Sequence, residues 1–491
     1  RMSHEQMGNH LNVQTSHQYT HRKKHGHLTL NGNGAYQRNH NRSDRLGAEF
    51  TDDPKDAYRS ASLDSVFLGT SDRLTALLLH KQREQRKEMA DHWNGNVQLN
   101  GFIEIPHTPD YINLSANVRV DKQEATSFSD YFLSYNPATT AAGDDHRRRY
   151  TSSPAFALDA TLNVTYNYRP DWGFLKPHYA YTEAYRNADL SLYRLDRLGE
   201  DCPAFGELPS SVAALMSCMD APNSYTSELN TQTHRVGAEM GVWIPGKLPS
   251  HRFTFTPEIE WRTDHLTYHR DLLHAKPHRG KAVFMPSASW GFENCYINYK
   301  LTSSHPDLLS LLDYTDTSDP LNIYKGNPNL KRSVNHRVDF SRSFGNYKTG
   351  WHFYLTAGWN MTHNAIAHAM NYDATTGIRT FSPRNVNGNW GANLSGDYQK
   401  PLDSKQRFIL TSVTNLNYRN SVDYVTERST VRNLNAGESL HLNTRIKQYV
   451  VDLNVAVNYL HATSPNARFK NINSFDFKYS ASAQIPLPAG F

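Results

Sequence analysis

Three cysteines, Cys202, Cys218 and Cys295, are too few among 491 residues for a disulfide-built scaffold. No apolar run approaches the roughly 20 residues of a membrane-spanning helix, and mean hydropathy is well below zero. Charge of one sign is also scarce. Lys+Arg is 52 against 47 Asp+Glu, and the excess of +5 is spread along the chain, so no basic stripe offers itself to nucleic acid. There is no phosphate-binding loop, dinucleotide fingerprint, GxSxG elbow or HExxH pair. The reading therefore names no catalytic residue, no metal ligand, no cofactor and no nucleic-acid partner, and expects no enzyme. No secretory signal is visible either, and Arg1 opens within strand-like sequence, which reads as a cut end.

Aromatic residues are plentiful: 28 Tyr, 21 Phe and 8 Trp. Aromatic richness with low hydropathy suits a membrane β-barrel. Only every second strand residue faces lipid there, and polar loops dilute the average further. The dominant pattern agrees. Phe156, Leu158, Ala160, Leu162, Val164, Tyr166 and Tyr168 alternate with Ala157, Asp159, Thr161, Asn163, Thr165 and Asn167. Successive strand side chains point to opposite faces, so this segment has an apolar wall and a wet wall. The pattern recurs at Val236–Ile244, Phe253–Trp261, Val451–Tyr459, Val97–Ile105, Ile112–Val120 and Phe475–Ala481. About seventeen such segments are legible, each near the 9–11 residues of a tilted membrane strand. Leu158, Leu162, Val164, Val236, Ala238, Met240, Leu453 and Val455 are expected to face lipid, with Asp159, Asn163 and Asn454 inside. Trp351 and Trp359 fall on one face of one segment, about 26 Å apart along a strand, which would place one near each membrane interface.

Connections alternate short and long. Short ones, rich in Pro, Gly, Asn and Asp, are Pro106–Asp110, Arg169–Trp172, Pro245–His251, Gly345–Gly350 and Pro401–Lys405. Long ones cover about residues 39–92, 121–153, 183–232, 264–280, 304–333, 362–386 and 418–437. This order predicts an antiparallel transmembrane barrel with short periplasmic turns and long extracellular loops. Residues 73–92 read as a short solvated helix within the first long loop, and 307–312 (DLLSLL) as a helical turn. His4, His10, His17, His21, His25, His27 and His40 crowd the first forty residues. His25 and His27 would share a face of a strand, an arrangement open to a metal, but a hydrophilic wall or turn is the stronger account of them. Cys202 and Cys218 flank a loop-like segment. They are either a disulfide closing about 15 residues or two free thiols, and spacing does not decide between these.

One segment is more specific. Ser318-Asp319-Pro320-Leu321-Asn322-Ile323-Tyr324-Lys325 leads into Gly326-Asn327-Pro328-Asn329-Leu330-Lys331, which resembles the GNPxLK segment of TonB-dependent outer-membrane receptors. Residues Tyr296 to Leu402 are similar to the Bacteroidota-type barrels of that family, and Tyr193-Arg194-Leu195-Asp196-Arg197-Leu198 also fits. In the segment, Pro328 fixes a turn and Gly326 relieves backbone crowding.

The resemblance implies a barrel of about 22 strands with a plug in its lumen, importing a scarce nutrient such as a metal chelate, glycan or peptide. On that basis residues 1–491 are expected to be one outer-membrane barrel domain fragment, roughly 17 strands, with plug and closing strands absent. Leu487–Phe491 read as a turn. The implied partners are outer-membrane lipid, the TonB system through the missing plug region, and a surface lipoprotein lid. Tyr131, Tyr135, Tyr185, Tyr193, Tyr314 and Tyr324 are the candidate ligand-contacting loop aromatics. A passive porin-like or structural and assembly barrel is the competing reading.

Overall fold

The computed structural model describes residues 10–23, 25–53, 63–136, 143–244, 251–346, 348–425, 427–465 and 470–485. His4, residues 245–250 of one expected turn and residues 487–491 lie outside these. Among the described residues, twenty-four strands form one sheet. In chain order they are β1 (His10–Lys23), β2 (Gly26–Phe50), β3 (Leu78–Glu104), β4 (Tyr111–Tyr135), β5 (Asp145–Asn167) and β6 (Gly173–Arg194). Next come β7 (Tyr225–Ile244), β8 (His251–Thr256), β9 (Glu258–Arg270), β10 (Leu273–Ala275), β11 (His278–Phe284) and β12 (Ser287–Phe292). They are followed by β13 (Cys295–Ser304), β14 (Thr315–Asp316), β15 (Asn322–Lys325), β16 (Ser333–Asn346), β17 (Trp351–His363) and β18 (Ala365–Tyr372). The last are β19 (Arg379–Val386), β20 (Asn389–Pro401), β21 (Phe408–Val425), β22 (Glu427–Ile446), β23 (Tyr449–Thr463) and β24 (Ile472–Gln484).

The wall is antiparallel throughout. Strands β8 and β9 make one wall strand interrupted at Pro257, and β11 and β12 another interrupted at Pro286, where a residue without an N–H cannot continue the ladder. Counted so, and with β10, β14, β15, β18 and β19 set apart, seventeen wall strands remain, as the alternation predicts. Among the described residues, β1 and β24 each pair on one side only.

Register confirms the two faces. Leu30, Leu99, Ala116, Leu162, Tyr181, His234 and Trp261 stand side by side across seven wall strands. Leu28, Gly101, Leu114, Val164, Tyr179, Val236 and Ile259 form a parallel row. Many large apolar residues of this face are solvent-exposed, including Leu28, Leu30, Val97, Val118, Val236, Ile259, Leu440, Leu453 and Val455. A continuous exposed apolar surface of this extent is a lipid-facing band. Aromatic residues bound it. Tyr36 and Trp93 stack at 4.1 Å on one edge, and Trp290–Phe292 (4.8 Å) and Phe344–Phe353 (6.0 Å) mark the other. Trp351 and Trp359 lie on this outer face of β17, one toward each edge. From Trp93 to Ile103 is about 33 Å of strand, or roughly 25 Å of height once tilted.

The opposite face is polar. Asn163 donates to Ser115 Oγ (3.2 Å), Ser395 to Asn415 (2.8 Å) and Ser439 to Asn454 (3.2 Å), each across neighbouring strands. Because adjacent wall strands are antiparallel, loops 51–77 and 195–224 emerge at one end, and turns such as 105–110 and 402–407 at the other.

The expected long loops are shorter than the sequence suggests, because much of their length is strand. Residues 73–92 are not a helix. A helical turn covers Asp72–Leu77, and from Leu78 the chain is β3, paired with β2 on one side and β4 on the other. The helix-favouring Lys, Gln and Glu of this segment are overridden by two complete ladders, and its charges pair across strands, as in Arg38–Asp91 (2.6 Å) and Arg83–Asp44 (3.1 Å). The DLLSLL turn is present as a 3-10 turn at Leu309–Leu311. Residue 426 alone separates β21 from β22.

Candidate functional site

Beyond the lipid band, strands β2 to β9 continue outward and keep their alternation. Tyr131, Leu133 and Tyr135 share the parity of Ser115 and Asn117 on β4, and Arg149 shares that of Asn163 on β5. They therefore stand on the polar, inner face. So do Glu49 on β2, His80 on β3, and Asp264, Leu266, Tyr268 and Arg270 on β9, by the same register. An inner wall bearing Leu133 at 1% exposure and Tyr268 at 1% needs a cover.

Two insertions supply it: residues 305–332 with β14 and β15, and the β18–β19 hairpin. They are joined by a parallel ladder in which Asn322 pairs with Arg379 and Tyr324 with Phe381. Leu321 packs with Tyr131 and Leu133, with Tyr135 and Ile378 beside them. Leu308 and Leu312 pack with Leu266 and Tyr268, beside Tyr314.

Polar contacts dock the cover at several places. Arg270, itself bonded to the Pro222 carbonyl (2.6 Å), meets Asp316 at 3.2 Å, and the Thr317 N–H donates to Asn223 Oδ1 (3.3 Å). Arg149 Nη1 donates to the Ser318 carbonyl at 2.7 Å. At the hairpin tip, Glu49 accepts from the Tyr372 hydroxyl (2.6 Å) and from Arg379 Nη2 (2.9 Å). Burial, then the Glu49 carboxylate, raises the Tyr372 hydroxyl to about 12. His80, fully buried, has Nε2 3.3 Å from Glu49 but makes no hydrogen bond, and its burial outweighs Glu49 and lowers its pKa. On β9, Asp264 is wholly buried. Burial pushes its carboxyl up, but bonds from Thr231, Arg279 and Arg262 outweigh that and hold it below the usual range.

The GNPNL segment is the clasp of this cover. A Cβ on Gly326 would stand 1.8 Å from the Leu312 carbonyl oxygen, so only glycine permits the approach. Asn327 N–H donates to Ser310 O (2.7 Å) and its side-chain amide to Pro383 O (2.8 Å). Asn329 N–H returns to Asn327 Oδ1 (3.0 Å), and Lys331 N–H reaches Asn385 Oδ1 (2.7 Å). Pro328 is the turn residue and Leu330 is buried. These bonds tie the 3-10 turn, the insertion and the hairpin into one unit.

Residues 283–491 match the model of the outer membrane protein beta-barrel family. The chain is an outer-membrane β-barrel. Solved structures that superpose on this barrel include the copper transporter OprC, with TM-score 0.40 and 8% identity over 98% of this chain and 80% of that one. Another is the pyoverdine outer membrane receptor FpvA from Pseudomonas aeruginosa, at 0.40 and 8% over 98% and 72%. The alcaligin outer membrane receptor FauA from Bordetella pertussis gives 0.34 and 6% over 98% and 74%. No curated protein matches this chain.

The barrel does not gather the six candidate aromatics at one place. Tyr131 and Tyr135 stand on the inner wall of β4, and Tyr131 donates to Gln82 Oε1 at 3.1 Å. Tyr314 lies against Tyr268 in the second buried cluster. Tyr324 stacks on Phe381 at 5.1 Å and remains exposed on the cover. Tyr185 and Tyr193 are on the outer face of β6, Tyr185 tilted against Phe156 and Tyr193 stacked on Tyr150. Cys202, Cys218 and Cys295 are free thiols, with Cys202 3.9 Å from Arg148 Nη1 and Cys218 buried. His25 sits in the turn before β2, 3.8 Å from Glu104, while His27 stacks on Phe102. Arg194 and Asp196 of the YRLDRL segment form an ion pair of 2.7 Å that starts the 3-10 turn Leu195–Asp201.

Arg149, Glu49, His80 and Asp264 were not singled out from the sequence. For Arg149 a signal existed, since β5 parity extended upward from Asn163 through the DDHRRRY run places it inside. Below the cover, Asn360, Asn389, Asn393, Asn417, Arg419 and Ser421 line a cavity of about 430 Å³ on the inner wall. Asn393 lies over Gly358 and Asn360 over Gly391, so a Cβ at either glycine would collide with an amide.

Proposed function

We propose that this barrel is the outer-membrane part of a TonB-dependent uptake receptor that captures a scarce nutrient at the cell surface and passes it through the lumen. The observation that carries the reading is the covered mouth. Two insertions clasped by the GNPNL segment fold onto the inner wall. A passive pore has no use for such a cover, whereas a receptor needs a selective and closable entrance. The resemblance of residues 318–331 to the receptor segment supports the same reading. Metal chelates, glycans and peptides are the candidate cargoes, since Tyr135, Tyr314 and Tyr324, which keep accessible surface, can stack on any of them. In this reading the protein is a transporter and not an enzyme. A plug segment would take up the polar inner face, and a surface lipoprotein is a candidate external partner.

The test is growth of cells carrying the full-length gene on ferric chelates, oligosaccharides or peptides as limiting source, with and without a working TonB system. Growth that needs both the gene and TonB is expected. Equal growth without TonB would sink the receptor reading and favour a porin-like barrel.

A further inference from the structure

Arg149 is the least explained charge in the mouth. Its guanidinium meets the insertion at Ser318, and its Nε is buried without a hydrogen-bond partner. Nη1 donates to one neutral acceptor, the Ser318 carbonyl, and the guanidinium carbon lies 5.6 Å over the Tyr131 ring. Among the described residues no carboxylate comes within ion-pair distance of it. Of the nearby acids, one is paired with another arginine, and two hold hydrogen bonds from neutral donors and act on Arg149 only through space. Asp145 pairs with Arg147 (2.6 Å), Asp319 accepts from the Leu321 N–H and the Asn322 amide (2.9 Å each), and Glu84 accepts from Ser129 (3.1 Å).

Guanidinium presents five N–H donors in a planar fork shaped for an oxyanion. Burying that fork without an anion is unfavourable, and structural arginines at such depth are normally paired with a carboxylate. Here the fork is oriented by an aromatic face and one carbonyl, and the residue keeps part of its surface open to the mouth. Oriented in this way, the remaining N–H groups on Nη1 and Nη2 can donate two parallel hydrogen bonds to a carboxylate or phosphate.

We propose that Arg149 is an anion-binding residue of the mouth and receives a carboxylate- or phosphate-type group of the captured ligand. The idea rests on the receptor reading for its ligand but is decided separately, on the purified full-length protein. Calorimetric titration with citrate and with inorganic phosphate, at constant chloride, separates a carboxylate from a phosphate preference. Saturable binding of at least one is expected. Arg149→Gln should weaken it tenfold or more. Arg149→Lys, which keeps the charge and loses the fork, should weaken it at least threefold. Circular dichroism and heat-modifiable gel mobility report whether each variant is folded. If Arg149→Gln does not fold, the Lys variant decides. No binding of either anion by the parent protein, or unchanged affinity in the folded variant, overturns the proposal. TonB-independent growth would sink the receptor reading and leave this titration standing.

Discussion

The two sides of the wall use their residues differently above the membrane. Strands β2 to β6 run 22 to 27 residues and project well beyond the aromatic belt, while β16, β17 and β20 have 13 or 14 and stop near it. The chain on the short side goes instead into residues 305–332 and the β18–β19 hairpin, which cross to the inner face of the long side. Within the lipid band both sides obey the same alternation, because the same solvent dictates it. Above the band that constraint ends. There one side supplies a surface and the other supplies its cover.

The sharpest way to break this arrangement is at the surface. Leu133→Asp places an unpaired carboxylate among Tyr131, Leu321 and Ile378. It is expected to cost on the order of 3 kcal/mol or more locally and to release the cover. Hydrogen exchange should accelerate in residues 318–325 and 372–379 and stay unchanged in the lipid band of β21 to β23. Unchanged exchange in the cover would mean that the two sides are not interdependent.

A smaller effect is expected from the cover's own clasp. Gly326→Ala drives a methyl into the Leu312 carbonyl, and relaxation of the overpacked turn should cost about 1–3 kcal/mol. Insertion and hairpin should then exchange as two units with separate protection, where the parent exchanges as one. A variant that retains common protection would show that the parallel ladder alone joins them.

The smallest effect comes from pH at the hairpin tip. Burial lowers the pKa of His80 from its ordinary 6.5 despite Glu49, and Arg379 adds to the lowering. Above 6.5 the imidazole is neutral whether docked or released, and docking is at full strength. As pH falls below 6.5, the released state takes up a proton that the docked state resists, so docking weakens toward the lowered pKa. Exchange at residues 373–378 should be faster at pH 5.5 than at pH 7.5, and His80→Leu should remove the difference. Equal exchange at both pH values in the parent would exclude His80 as the cause.

Much of the wall was legible in advance. Leu158, Val236 and Leu453 lie on the faces their spacing assigns, and the order of short and long connections places turns and loops at opposite ends. The crowding at Gly326 was also readable from the motif. The helix expected at 73–92 shows where local reasoning stopped. Polar residues outside the membrane carry no apolar period, so nothing in the segment revealed the two neighbouring strands that hold it extended. For the same reason Tyr131 and Tyr185 looked alike as loop aromatics, although one is buried inside and the other is on the outer face.

By itself, then, the sequence determined the barrel, its two faces, its aromatic edges and which end bears the loops. Each of these follows from interactions that repeat every two residues with solvent, lipid or the adjacent strand. The tertiary structure alone decided the covered mouth, the pairing of Glu49 with Tyr372 and Arg379, and the burial of Arg149 beneath Ser318. Those contacts join residues 169 to 330 positions apart, and no local period records which distant loop will lie above which strand.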